Sequence, residues 1–219
     1  MKTYTNIVFD LDGTLTDPAL GITNSVMYAL EKYGIPVPDR SELLKFIGPP
    51  LIESFQEFYG LSRDEAKTAV AYYREYYLAK GMFENSVFPG IEDLLISLKE
   101  NGKNLMVATA KVEQFAETVL KHFGIAKYFT CIAGSDLENT ITYKGEIILS
   151  VLEHCEITDR EHTVMIGDRM HDMLGAKYAS IDSIGVLFGY GTKEELENAG
   201  ADLIAESVQD LKRILSPQV

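Results

Sequence analysis

The order of apolar segments predicts an α/β fold, a doubly wound parallel sheet with an α-helical insertion after its first strand. Three observations carry this. A short apolar run, Tyr4 to Phe9, has the Ile, Val and Phe content of a strand entering a core. From about Pro18 to Phe88 the apolar spacing is helical, with no convincing second strand. Beyond Phe88-Pro89-Gly90, helical and strand patterns alternate to the end of the chain. Strands separated by helices pair in parallel, and a parallel sheet is covered on both faces.

Taken in order, the first strand runs into Asp10-Leu-Asp-Gly-Thr-Leu-Thr-Asp17, where Gly13 lets the backbone turn. Ile22, Val26, Ala29 and Leu30 fall on one helical face before Gly34 stops it, and Ile35-Pro-Val-Pro38 reads as an extended connector. Asp39 with Glu42, and Ser62 with Glu65, fit the capping pattern in which a side-chain oxygen and an acid three residues on satisfy the free amides of a helix start. Two helices are expected there, the second through Ala66, Val70, Tyr73 and Tyr77 towards Gly81, with a shorter one from Leu51 to Tyr59 after Pro49-Pro50. Further helices are expected at 91–100, 112–123, 146–154, 170–178 and 208–215, with another opened by Thr192 to Glu195. The strands between them are expected at 104–108, 128–133, 163–166, 183–188 and 201–205. The predicted domains are an α/β core of residues 1–16 and 89–219 and a helical unit of residues 17–88.

A chain of 219 residues, 46% hydrophobic and 24% charged, has an ordinary globular balance. Its net charge of −13 argues against general affinity for nucleic acid or anionic membrane, because a phosphate surface is repelled before contact. Any anionic substrate must be held by local cations or a metal. The first residues show no secretory pattern and no segment has the length to cross a bilayer, so a cytoplasmic location is expected. Cys131 and Cys155 form no CxxC and suggest neither a disulfide framework nor a zinc site; the four histidines lack metal spacing.

Asp10 and Asp12 stand where a buried strand ends, the edge at which open α/β sheets bind ligands. Two acids in one turn repel each other, and a divalent cation or a shared proton makes the pair tolerable. Three more sites follow predicted strands on the same edge. Thr109, with the first amides of the next helix, forms a cradle for phosphate oxygens. Asp168 lies just past a strand with Asp172 four residues on, and Lys144 precedes a helix from which an ammonium can reach back over the sheet edge. Acids, a hydroxyl and a lysine together suit a hard cation with a phosphate opposite it. Lys111 reads as a nearby surface charge.

These residues, Asp10 to Asp17, Thr109, Lys144 and Gly167-Asp168 with Asp172, resemble the motifs of the haloacid dehalogenase superfamily, in that family's order and over nearly the whole chain. The tail, Ile184 to Thr192 with Ala199-Gly-Ala-Asp202, looks most like its phosphoglycolate phosphatase and 5′-nucleotidase group. The resemblance implies a Rossmann-like core with a type 1 helical cap, and a phosphatase acting on a small phosphate monoester. Asp10 would then be the nucleophile and Asp12 the general acid and base. Magnesium would be held by Asp10, the Asp12 carbonyl and Asp168, with Asp172 behind them. Thr109, Ala110 and Lys144 would hold phosphate oxygens. The expected partner is a small phosphorylated metabolite, with no nucleic acid and no membrane, and the protein a monomer or homodimer.

The cap would carry substrate recognition and close as a lid. Its candidates are Gly48, in a loop with freedom for close approach, and the cations Arg74 and Lys80, which otherwise read as surface residues. Tyr72, Tyr73, Tyr76 and Tyr77 could stack on a base, but such a stripe more often packs the core. A phosphosugar mutase on the same scaffold is the nearest alternative. A receiver-like signalling module is a further one, although Asp12 would hydrolyse the phosphoryl group that a receiver must retain. An EF-hand loop counted from Asp10 fails, because Leu15 falls where glycine is required.

Overall fold

The computed structural model describes residues 2–137 and 143–216. It divides into two compact units, Met1–Asp17 with Val87–Val219, and Pro18–Ser86. The first unit is built on a six-stranded parallel sheet whose order is β5-β4-β1-β6-β7-β8. Its strands are β1 (Asn6–Phe9), β4 (Asn104–Val112), β5 (Cys131–Ser135), β6 (Thr163–Gly167), β7 (Asp182–Val186) and β8 (Leu203–Ala205). The chain passes between the units at two-residue strands, β2 (Thr16–Asp17) and β3 (Ser86–Val87).

Alternation along the strands creates two apolar faces. Ile7, Phe9, Leu105, Val107, Val164 and Ile166 share one core with α4 (Ile91–Glu100), α5 (Glu113–His122) and α9 (Val208–Leu215). Val8, Met106, Ala108 and Met165 share the other with α6 (Lys144–His154) and α7 (Met170–Ala179). Both faces of the central strands are therefore sealed, as the near-continuous apolar runs require. The chain winds outward through β4 and β5, then returns to the far side of β1 through β6. The reversal leaves a crevice beyond the carboxyl end of β1, flanked by β4 and β6. Register fixes what meets there, because Phe9 pairs with Val107 on one side and Ile166 on the other.

Several boundaries differ from those expected. β4 continues to Val112, four residues beyond the expected end, and α5 starts only at Glu113. Ala126–Tyr128 forms a 3₁₀ turn, so β5 begins at Cys131. The short helix α8 (Lys193–Asn198) opens behind Thr192, whose side chain accepts from the Glu195 amide.

The second unit contains α1 (Ala19–Lys32), α2 (Leu51–Tyr59) and α3 (Arg63–Ala79), with 3₁₀ helices at Arg40–Phe46 and Gly81–Phe83. Both halves of the expected capping box form at Ser62 and Glu65. Asp39 caps too, accepting from the Ser41 amide, but the segment it opens is 3₁₀ rather than α. Gly48 in the left-handed region, followed by Pro49-Pro50, leaves no room to lengthen it. Phe46 and Phe55 meet edge to face at 5.0 Å within this unit's core. Tyr73 and Tyr77 are buried and stack at 5.4 Å. Tyr72 packs against Tyr33 and Tyr76 against Tyr28.

Candidate active site

Asp10 is still tied to the sheet, its N–H donating to Ile166 O at 2.8 Å. The chain then turns sharply, with the Leu15 and Thr16 amides both donating to Leu11 O at 2.9 and 3.0 Å. Gly13 makes the turn possible at φ +88°, and a Cβ there would lie 2.2 Å from Asp168 Oδ2. Both demands, conformational and steric, exclude any other residue. The turn leaves Asp10 and Asp12 buried at the carboxyl edge, 5% and 9% exposed.

Each of these acids meets its own lysine. Lys144 Nζ, at the first residue of α6, lies 2.7 Å from Asp10 Oδ1 and 2.8 Å from Asp172 Oδ1. Lys111 Nζ lies 2.5 Å from Asp12 Oδ2, with its side chain only 7% exposed. Lys111 is thus no surface charge, which corrects the sequence expectation. The cause is the extension of β4, which carries residue 111 along the sheet edge instead of releasing it into a helix start. Asp12 Oδ1 is buried without a hydrogen-bond partner among the described residues.

Asp168 follows β6 and has no exposed surface. Its Oδ2 accepts from the Tyr190 N–H at 2.8 Å and its Oδ1 from the Thr14 hydroxyl at 3.4 Å. The Tyr190 hydroxyl in turn donates to Asp17. Asp172, in the first turn of α7, accepts from the Arg169 N–H at 3.1 Å, and a Cβ on Gly167 would fall 2.1 Å from its Cγ. Sequence reasoning missed Thr14 and Tyr190. The signal for Tyr190 was its place between Gly189 and Gly191 just after a strand, where backbone can approach an acid closely.

Thr109 is 2% exposed and its hydroxyl accepts from the Lys111 N–H at 3.3 Å. Thr109 and Ala110 lie inside β4, so the amides near them are strand amides, not the helix start that was expected. Gly48, Arg74 and Lys80 belong to the second unit: Gly48 has φ +106°, Arg74 is part-buried on α3, and the Lys80 ammonium stands 6.0 Å over the Tyr76 ring.

Burial is the main force on the acids. It raises the Asp168 carboxyl well above its ordinary range, aided by the charges of Asp172 and Asp10. It raises Asp12 against the opposing pull of Lys111, and pushes Asp172 up to about 6 against that of Lys144. For Lys144, burial works to lower the pKa, but Asp10 and Asp172 outweigh it and keep the ammonium charged. Oxygens of Asp10, Asp168 and Asp172 all lie within 4.8 Å of one another. When all four buried acids are ionised, two ammonium groups leave a negative surplus equal in size to the charge of one divalent cation, so a bound cation would offset the burial that favours their neutral forms. The donor set is all oxygen, which fits a hard cation of that charge.

Residues 7–186 match the model of the haloacid dehalogenase-like hydrolase family. A 5′-nucleotidase of Pseudomonas aeruginosa is 48% identical over 193 residues, covering 88% of this chain and 87% of that protein. Tyrosine-protein kinase PtkA of Mycobacterium tuberculosis is 37% identical over 211 residues, covering 95% and 72%. A crystal structure of a predicted phosphatase from Clostridium acetobutylicum superimposes with a TM-score of 0.94 at 48% identity, covering 98% of this chain and 99% of that one.

Proposed function

The chain belongs to the haloacid dehalogenase-like hydrolase family, and from that premise we propose that it is a magnesium-dependent phosphatase of a small phosphate monoester, either phosphoglycolate or a nucleoside monophosphate. One observation carries this reading. Two buried acids two residues apart stand at the carboxyl edge of the sheet, each against its own buried lysine, Asp10 by Lys144 and Asp12 by Lys111.

A carboxylate of Asp10 attacks phosphorus, and the bond from phosphorus to the ester oxygen breaks as Asp12 gives that oxygen a proton. Asp12 then takes a proton from water, whose oxygen attacks phosphorus and releases Asp10. Lys144, Thr109 and the Ala110 amide neutralise and orient the remaining phosphate oxygens. Asp10, Asp168 and the Asp12 carbonyl would hold magnesium, with Asp172 beside them, and the ion when bound offsets charge on the phosphoryl group. Recognition beyond the phosphate is assigned to the helical unit, with Gly48, Arg74 and Lys80 as its candidates. The 5′-nucleotidase relative supports the nucleotide alternative, and the acidic chain supports a small ligand over nucleic acid.

A screen of phosphorylated metabolites with magnesium, scored by phosphate release, tests the reading. Asp10→Asn should abolish turnover while leaving the circular dichroism spectrum unchanged. Ordinary activity in that variant removes the nucleophile. Phosphate passed to a sugar phosphate or to tyrosine instead of water would replace hydrolysis with transfer.

A further inference from the structure

We infer that Lys111 is a positioning residue for the proton donor Asp12, holding one carboxylate oxygen so that the other is left free to exchange a proton with the leaving group. This rests on the phosphatase reading and extends it to a residue outside the motifs that carry it.

The first support is the pairing itself. Lys111 Nζ is 2.5 Å from Asp12 Oδ2, with both side chains largely buried at 7% and 12% exposure. Removing one partner of such a pair leaves an uncompensated charge, so the contact is far more restrictive than a surface salt bridge. The second is the complementary atom. Asp12 Oδ1 is buried and has no hydrogen-bond partner among the described residues. One oxygen is anchored by an ammonium, and the other is committed to no hydrogen bond among the described residues.

The third support is the backbone that brings Lys111 there. Between Ala108 and Val112 the ladder to β5 loses register, so β4 advances four residues while β5 advances two, from Ala133 to Ser135. Extra residues on one strand form a bulge, a device that re-aims side chains. Gly134 faces this bulge, and a Cβ there would lie 2.3 Å from Lys111 O. The strand beside the bulge thus makes room for it with a residue that has no side chain.

Chemically, donation of the proton from Asp12 Oδ1 to the ester oxygen leaves a carboxylate. The Lys111 ammonium offsets that charge as it forms, and keeps the carboxyl group oriented for the return proton from water. Lys144 cannot serve both acids in this way, since it already bridges Asp10 and Asp172.

The test compares esters that differ in their need for the proton. p-Nitrophenolate leaves as a stable anion, whereas the alcohol of phosphoglycolate or of a nucleoside 5′-monophosphate must be protonated. Lys111→Met should lose about a hundredfold in kcat/KM on the alkyl ester and less than about tenfold on p-nitrophenyl phosphate. Lys111→Arg should recover part of the loss, and adding Lys111→Met to Asp12→Asn should cost little further. Gly134→Ala, which leaves every charge in place, should reproduce the same selectivity more weakly. Equal losses on both esters in Lys111→Met and Gly134→Ala would overturn the positioning role while leaving the phosphatase reading intact. No phosphate release from either ester by the unaltered protein would remove both.

Discussion

At the scale of single residues, burial decides what each ionisable group can do. Burial, then the neighbouring Cys155, push the Cys131 thiol up to about 12. A raised thiol pKa favours the neutral form, so the nucleophilic thiolate is scarce at pH 8 and gains tenfold with each pH unit towards the shifted value. Alkylation of Cys131 by iodoacetamide at pH 8, followed by peptide mass spectrometry, should run on the order of a hundredfold or more slower than for a free cysteine. A rate equal to the free thiol would refute the burial argument. The acids at the sheet edge were legible because their spacing is local: Asp10 with Asp12, and Asp168 with Asp172, are each fixed by one turn of chain. Lys111 and Tyr190 were not, since their partners lie far away in sequence and become neighbours only through strand register.

At the scale of elements, caps and bulges explain both what was readable and what was displaced. Ser62 donates its hydroxyl to Glu65 Oε2 at 2.6 Å, and its N–H donates to the same oxygen at 2.8 Å. Ser62→Ala should therefore destabilise the second unit by about 1 kcal/mol, seen as a lower urea midpoint. An unchanged midpoint would mean that the start of α3 is held by packing alone. That box was visible in four consecutive letters of sequence. The 3₁₀ segment Arg40–Phe46 begins with the same kind of signal, but the proline pair that limits it acts from the opposite end. The length of β4 could not be read in advance, because residues 109–111 join the sheet through a bulge whose fit depends on Gly134 of another strand.

Over the whole molecule, the surplus of acid is general as well as local, −13 for the chain and a concentrated cluster at the crevice. A cation that binds only the folded state adds stability by mass action, about 2.7 kcal/mol at a concentration one hundred times its dissociation constant. Magnesium should therefore raise the melting temperature by several degrees, and Asp168→Asn should abolish most of that rise. The readout is thermal and needs no substrate; an equal rise in the variant would place the ion elsewhere. Among the described residues no helix is long and apolar enough to cross a membrane. The architecture followed from the sequence because helix and strand periods alternate so regularly, whereas the exact edges of the strands depend on neighbours that the linear pattern does not display.

The central position of β1 has a consequence for how the chain is made. Asn6 lies beside Asn104 and Thr163, neighbours that are 98 and 157 positions later in the sequence. During synthesis Ile7, Val8 and Phe9 emerge well before either flank, β4 following at Asn104 and β6 only at Thr163. The helical segment in between depends on nearer contacts and can mature ahead of them. A newborn chain thus carries an uncovered, sticky strand until its partners are made, a natural handhold for chaperones.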